Sequence, residues 1–337
     1  MKSVIRAAAG GPEVLRLVER PVPEPGPGEV RVRMYVSGVN PTDWRSRRRA
    51  LPPGMSEQVP HQDGAGVIDA VGPGVDPARA GQRVWVWEAA WGRPWGTAQQ
   101  YTLILDQQAV ALPDDAPFEL GAALGIPALT AHRALTVHDG GPDRIAPGTL
   151  REATVLVAGG AGAVGNSAVQ LARWAGAHVI TTVSGPAKAA LAQAAGAHRV
   201  VDYRAQDAAA EIRAFAPEGV DIIVEVAPGA NAALDTEVAA PGAVVAYYSG
   251  GEDEQLAVPV LTTLSANLRW QSVFVYTVRP EAKRQAVADV AAAVHAGALR
   301  VGEEAGLPLH RFPLERAADA HAALERGVVG KVLLDIP

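Results

Sequence analysis

Val155-Leu156-Val157-Ala158-Gly159-Gly160-Ala161-Gly162-Ala163-Val164-Gly165 decides the fold. Its four leading apolar residues read as a buried strand, and the alanine-rich run beyond Gly165 reads as a helix. Gly159, Gly162 and Gly165 stand between them at every third position. Glycine permits a tight turn after the strand and lets backbone come close to a pyrophosphate. The helix that follows offers free N–H groups and a partial positive charge at its N-terminus. The last glycine lets helix and strand pack closely. The spacing is a variant of the dinucleotide fingerprint, and the strand–turn–helix context makes it specific. Gly162, Ala163, Val164 and Gly165 are therefore the expected cofactor-binding backbone.

Working outward, apolar strands alternate with alanine-rich helices. His178–Val183, His198–Val201, Asp221–Val226 and Ala243–Tyr248 read as strands; Ala187–Ala195 and Pro280–Gly297 read as helices. Such alternation predicts a doubly wound parallel sheet, an α/β Rossmann domain. Upstream the pattern is different. Val30–Val36 alternates apolar residues with Arg and Met, and Gly64–Val71 and Gln82–Trp87 are short apolar runs bounded by Gly and Pro. Short, mostly antiparallel strands follow from that spacing. The expected division is a Rossmann domain over 126–275, inserted into a β-rich domain made of 1–125 and 276–337.

The end of the second strand of the series tells which dinucleotide fits. Thr181-Thr182-Val183-Ser184-Gly185 carries no acid to accept the ribose hydroxyls of NAD. Lys188 follows, one of four lysines in the chain, and Tyr203 lies beyond the third strand. A hydroxyl with a cation favours a 2′-phosphate, which a carboxylate there would repel. Ser184, Lys188 and Tyr203 thus point to NADPH.

Composition excludes several classes. The net charge of −6 argues against a nucleic-acid partner or an anionic membrane surface. No apolar run reaches the length of a transmembrane helix, and the N-terminal residues lack a signal-peptide core. The absence of Cys removes any disulfide argument for export, and a cytoplasmic location is the expectation.

The chain resembles the zeta-crystallin-like quinone oxidoreductases, a zinc-free branch of the medium-chain dehydrogenase/reductase superfamily. The resemblance rests on Gly38-Val39-Asn40-Pro41-Thr42-Asp43, Asp63-Gly64-Ala65-Gly66, Gly81-Gln82-Arg83-Val84 and Thr130-Ala131-His132-Arg133. It continues through Gly162-Ala163-Val164-Gly165, the Ser184 and Lys188 pair, Asp202-Tyr203-Arg204 and Gly330-Lys331. It implies a GroES-like catalytic domain beside the Rossmann domain, NADPH in the cleft, and hydride transfer to quinones or α,β-unsaturated carbonyls. It also implies Asn40 at the nicotinamide, Thr130 at the carboxamide, and Lys331 near the cofactor. Asn40 is then the best donor to a developing oxyanion, with Asp43 organising its loop or exchanging a proton through water. The loop Trp44–Pro53 has no Tyr to serve as proton donor.

No metal site is expected. Zinc relatives place Cys and Gly-His-Glu where this chain has Asn40-Pro41-Thr42-Asp43 and His61-Gln62-Asp63-Gly64. Zinc calls for thiolate and imidazole ligands, and His61 reads better as a loop or pocket residue. Two alternatives stand beside the quinone reading: an enone, alkenal or enoyl-thioester reductase on the same scaffold, and a non-enzymatic NADPH-binding structural protein. The run Arg45–Arg49 reads as a solvated turn rather than an anion attractor. Trp91 and Trp95 fit a cleft rim. A homodimer is expected, with Ser272–Tyr276 as a candidate edge segment.

Overall fold

The computed structural model describes all 337 residues. The chain opens with an antiparallel pair, β1 (Lys2–Ile5) and β2 (Arg16–Glu19). Next come β3 (Glu29–Val39), α1 (Pro41–Arg47), β4 (Asp63–Val71), β5 (Arg83–Val86), β6 (Tyr101–Leu105), β7 (Ala109–Ala111) and α2 (Phe118–Leu135). Then strands and helices alternate: β8 (Thr154–Ala158), α3 (Ala163–Trp174), β9 (His178–Val183), α4 (Pro186–Ala194), β10 (Arg199–Asp202) and α5 (Ala208–Phe215). β11 (Val220–Glu225), α6 (Pro228–Val238), β12 (Ala239–Tyr247), α7 (Val260–Ser265), β13 (Arg269–Ser272) and α8 (Pro280–His295) follow. β14 (Leu309–Pro313), α9 (Ala317–Glu325) and β15 (Lys331–Asp335) close the chain. No helix is long and apolar enough to cross a membrane.

Two compact units result. One comprises Met1–Ile126 and Pro308–Pro337, the other Pro127–Leu307. The first is built on a seven-stranded sheet ordered β14-β15-β3-β4-β5-β7, with β6 also paired to β3. β3 shows why it forms. Val30, Val32, Met34 and Val36 are buried, while Arg33 and Tyr35 point outward, so a period of two seats one face on the core. After Val36 the burial becomes continuous through Val39, and Asn40 begins the turn into α1. β15 runs antiparallel to this end of β3, with Val332 opposite Val39.

The second unit is a six-stranded parallel sheet ordered β10-β9-β8-β11-β12-β13. Counted from β8, that is the doubly wound order, reversing between β8 and β11. β8 is buried along Val155–Ala158, as expected of a strand covered on both faces. Ligands of such sheets lie outside the carboxyl ends of the strands at the reversal, which is where the glycine turn stands.

The second boundary differs from the expected break at 275/276: residues 276–307 belong with the parallel sheet. Asp289 on α8 accepts hydrogen bonds from His132 Nε2 and Ile145 N, both at 2.8 Å. Arg300 N donates to Gln170 Oε1, and Ala305 O accepts from Asn166 Nδ2, which ties this stretch to α3. The expected strand Ser272–Tyr276 is also revised. β13 ends at Ser272, and Val275–Thr277 is a single tight turn.

Candidate active site

The glycine turn is shaped by close approach. Gly159 has φ +72°, and its carbonyl accepts from Gly162 N at 3.0 Å. A Cβ on Gly165 would stand 2.4 Å from that same carbonyl, so only glycine fits. Gly162 caps α3 without a side chain, leaving the first-turn N–H groups of Ala163, Val164 and Gly165 for an anion. Thr181 props the turn from β9. Its hydroxyl accepts from Gly160 N at 3.0 Å and donates to Val157 O at 2.7 Å.

At the carboxyl ends of β9 and β10, Lys188 Nζ donates to Ser184 Oγ at 2.9 Å. Tyr203 follows directly on β10, its N–H bonded to Val183 O and its ring exposed. Ser184 and Tyr203 thus follow neighbouring strand ends, and Lys188 reaches Ser184 from the first turn of α4. Thr130 is buried within α2.

Glu225, at the end of β11, is fully buried and close to Asp235 of α6. Asn231 and the main-chain N–H of Ala227 donate to its carboxylate. Burial, and then the charge of Glu225, push Asp235 up to about 9. Both effects favour the neutral form of Asp235 beside the Glu225 carboxylate. Nothing in the local sequence signalled it.

In the β-rich unit, Asn40, Asp43, Asp63 and Lys331 form one buried cluster. Lys331 Nζ donates to Asn40 Oδ1 at 2.7 Å and lies 3.4 Å from Asp63 Oδ2. Asn40 Nδ2 donates to Asp63 Oδ2 at 2.7 Å, and Ile126 N donates to Asp63 Oδ1 at 2.8 Å. Asp43 Oδ2 accepts from Asn40 N at 2.7 Å, tying the start of α1. An ammonium only donates and a carboxylate only accepts, so these partners fix the Asn40 amide. Its oxygen faces Lys331, and one of its two N–H groups is given to Asp63. Burial raises Asp63 and lowers Lys331, each opposed by the other's charge. Burial also pushes Asp43 up to about 8, helped by the Asp63 carboxylate and opposed by Asn40 N–H and Lys331.

His61 lies in the same unit, fully buried. Its Nδ1 is 2.9 Å from Ser37 Oγ and its Nε2 is 2.8 Å from His321 Nε2. No group of three or more His, Asp or Glu side chains is arranged to hold a metal ion.

The arginine run is corrected. Arg45–Arg47 belong to α1, and Arg47 is fully buried, paired with Glu325 and bonded to His321 Nδ1. Arg45 and Arg48 lie over the Trp44 ring. Trp91 is exposed, whereas Trp95 packs on the core of its unit with Arg20 above it.

Comparison with known proteins agrees with both units. Residues 26–114 match the alcohol dehydrogenase GroES-like domain, and residues 163–293 match the zinc-binding dehydrogenase family. Human quinone oxidoreductase is 30% identical over 346 residues, covering 99% of this chain and 97% of its own. The chain belongs to the quinone oxidoreductase family of medium-chain dehydrogenases/reductases. It is an oxidoreductase with a GroES-like unit and a Rossmann unit. Among solved structures, an NAD-dependent alcohol dehydrogenase superposes with TM-score 0.84 at 29% identity, covering 100% of both chains. An Escherichia coli quinone oxidoreductase complexed with NADPH superposes with TM-score 0.80 at 25% identity, covering 99% of this chain and 100% of that one.

Three of the cluster's members, Asn40, Asp43 and Lys331, are expected from the family pattern. Asp63 stands in that pattern with no legible role, because its partners lie 23 and 268 residues away. Thr181 was read only as a strand residue; its hydroxyl under a glycine turn was the available signal.

Proposed function

We propose that this enzyme is an NADPH-dependent, zinc-independent reductase that acts on quinones. The observation that carries the reading is the buried Asn40 amide, held by Lys331 and Asp63. NADPH, when bound, supplies the hydride. The chain's residues fit that cofactor. The uncapped first turn of α3 and the glycine turn would hold the pyrophosphate, and Ser184, Lys188 and Tyr203 the 2′-phosphate. The NADPH complex of the Escherichia coli relative supports that choice over the NAD of the alcohol dehydrogenase. Asn40 donates to the oxygen on which charge develops, and Asp43 holds the Asn40 main chain at the head of α1. Zinc independence is supported by the donor set: there is no Cys, and both ring nitrogens of His61 are already engaged. We further propose a homodimer.

The test is NADPH oxidation against quinones, enones and enoyl thioesters. Quinones should turn over fastest, and Asn40→Ala should lower kcat about 10²–10³-fold, the scale of losing one oxyanion donor. Faster turnover of enones would move the substrate class. Lys188→Ala should weaken NADPH binding and leave NADH binding unchanged; tighter NADH binding by the wild type would sink the phosphate-site reading.

A further inference from the structure

A line of buried side chains runs through the β-rich unit and ends beneath the Asn40 cluster. It begins at Arg47, whose Nη2 pairs with Glu325 and whose Nη1 lies 2.9 Å from His321 Nδ1. A guanidinium only donates, so His321 Nδ1 accepts and the ring's proton sits on Nε2. His321 Nε2 lies 2.8 Å from His61 Nε2, which must then accept. The His61 proton is therefore on Nδ1, 2.9 Å from Ser37 Oγ. Ser37 donates to Thr97 Oγ1 at 2.7 Å, and Thr97 donates to the main-chain carbonyl of Asp63 at 2.6 Å. His321, His61, Ser37 and Thr97 each accept once and donate once along the line, and its two ends agree on the direction: Arg47 can only donate and the Asp63 carbonyl can only accept. Both rings are neutral, in keeping with burial pushing His61 well below its usual range and His321 down to about 3.

The line is not a proton path. Arg47 does not give up a proton, and a backbone carbonyl does not pass one on. Its effect is to hold. His61 adopts φ +80°, a left-handed backbone uncommon outside glycine, and its ring is fully buried with both nitrogens engaged. Strain of this kind persists only where the surroundings enforce it.

We propose that Arg47, His321 and His61 are positioning residues for the reductase reaction. By fixing the Asp63 main chain they fix its carboxylate, and with it the amide orientation of Asn40 and the seat of Lys331. The proposal rests on the reading of Asn40 as the donor, so its test has arms that need no turnover.

The first arm is ¹⁵N-histidine NMR of the full-length wild type. His61 is expected neutral and protonated on Nδ1, and His321 neutral and protonated on Nε2, both unchanged between about pH 5.5 and 8.5. The same tautomer at both residues, or titration of either in that range, overturns the proposal. The second arm follows the Asn40 side-chain amide signals. They should shift in His321→Leu and return in His321→Gln, whose Oε1 accepts and Nε2 donates with the same polarity. In kinetics, His321→Leu should lower kcat at least tenfold with the NADPH Kd within twofold, and His321→Gln should restore it. Unmoved Asn40 signals, or a kcat loss that Gln does not restore, overturns the positioning role. A wild type inactive on every acceptor removes the reductase reading instead, and the two NMR arms still decide the line.

Discussion

Lys331 shows how the site depends on single groups. Its ammonium and the Asp63 carboxylate are both removed from water, and each is tolerable because of the other and of Asn40. Breaking a buried pair from one side leaves an uncompensated charge, which costs on the order of 3–5 kcal/mol. Lys331→Met should therefore lower unfolding free energy by about that amount in urea denaturation. Lys331→Met combined with Asp63→Asn should recover a large part, because no buried charge then remains unpaired. A double variant no more stable than Lys331→Met would show that the charge pairing is not what matters. These residues also mark how far the sequence could be read. Asn40, Asp43 and Lys331 were recognisable from their motifs. Arg47 was not, because a run of arginines is usually solvated, and the partners that bury this one, His321 and Glu325, are 274 and 278 residues away.

At the scale of elements, the glycine turn was legible because strand, turn and helix are adjacent in sequence. The break at 276 was misread because α8 looks like any terminal helix; what binds it is Asp289, reached by His132 and Arg144 from far upstream. Thr181 supports the turn from the neighbouring strand. In Thr181→Val the buried Gly160 N–H loses its acceptor, at a cost of about 1–3 kcal/mol. The expected result is a lower Tm and weaker NADPH binding, both restored by Thr181→Ser; an unchanged Kd in Thr181→Val would separate this hydroxyl from the cofactor loop. The Glu225–Asp235 pair links β11 to α6. Burial and the Glu225 charge push Asp235 up to about 9 in the folded state, against about 4 for a free Asp, so folding favours its protonated form between those values. Its contribution is complete at acid pH and is lost as pH rises towards 9. Asp235→Asn cannot ionise, so its Tm should fall less steeply than that of the wild type from pH 5 to 9. Parallel Tm profiles would show that folding does not favour protonated Asp235.

At the scale of the whole molecule, the parallel sheet ends on an open edge. β13 pairs only with β12, so Arg269–Ser272 leave one side of the strand without a ladder. Such edges are normally covered or blunted. The candidate edge segment Ser272–Tyr276 gives only its start to the strand: Val273 N–H makes the last rung to Tyr247 O, Val275–Thr277 turns away, and Val273, Val275 and Tyr276 are buried. α7 stands just before β13 in the chain and exposes Val260, Leu261 and Leu264 at 74%, 80% and 70%. Three adjacent aliphatic side chains at that exposure on a single helix are an unfavourable face for a monomer. An antiparallel pairing of β13 with its own copy about a two-fold axis would close both edges and give the α7 faces a place to bury. Burying three aliphatic side chains in each of two copies would contribute several kcal/mol before the entropy of association is subtracted. The expected result is a dimer by light scattering at micromolar concentration. Leu261→Asp with Leu264→Asp should convert it to a monomer that keeps its circular dichroism spectrum and its NADPH affinity, since neither residue belongs to the glycine turn or to the Ser184–Lys188 pair. A wild type that is monomeric at that concentration, or a double variant that remains dimeric, would show that this edge is not the interface.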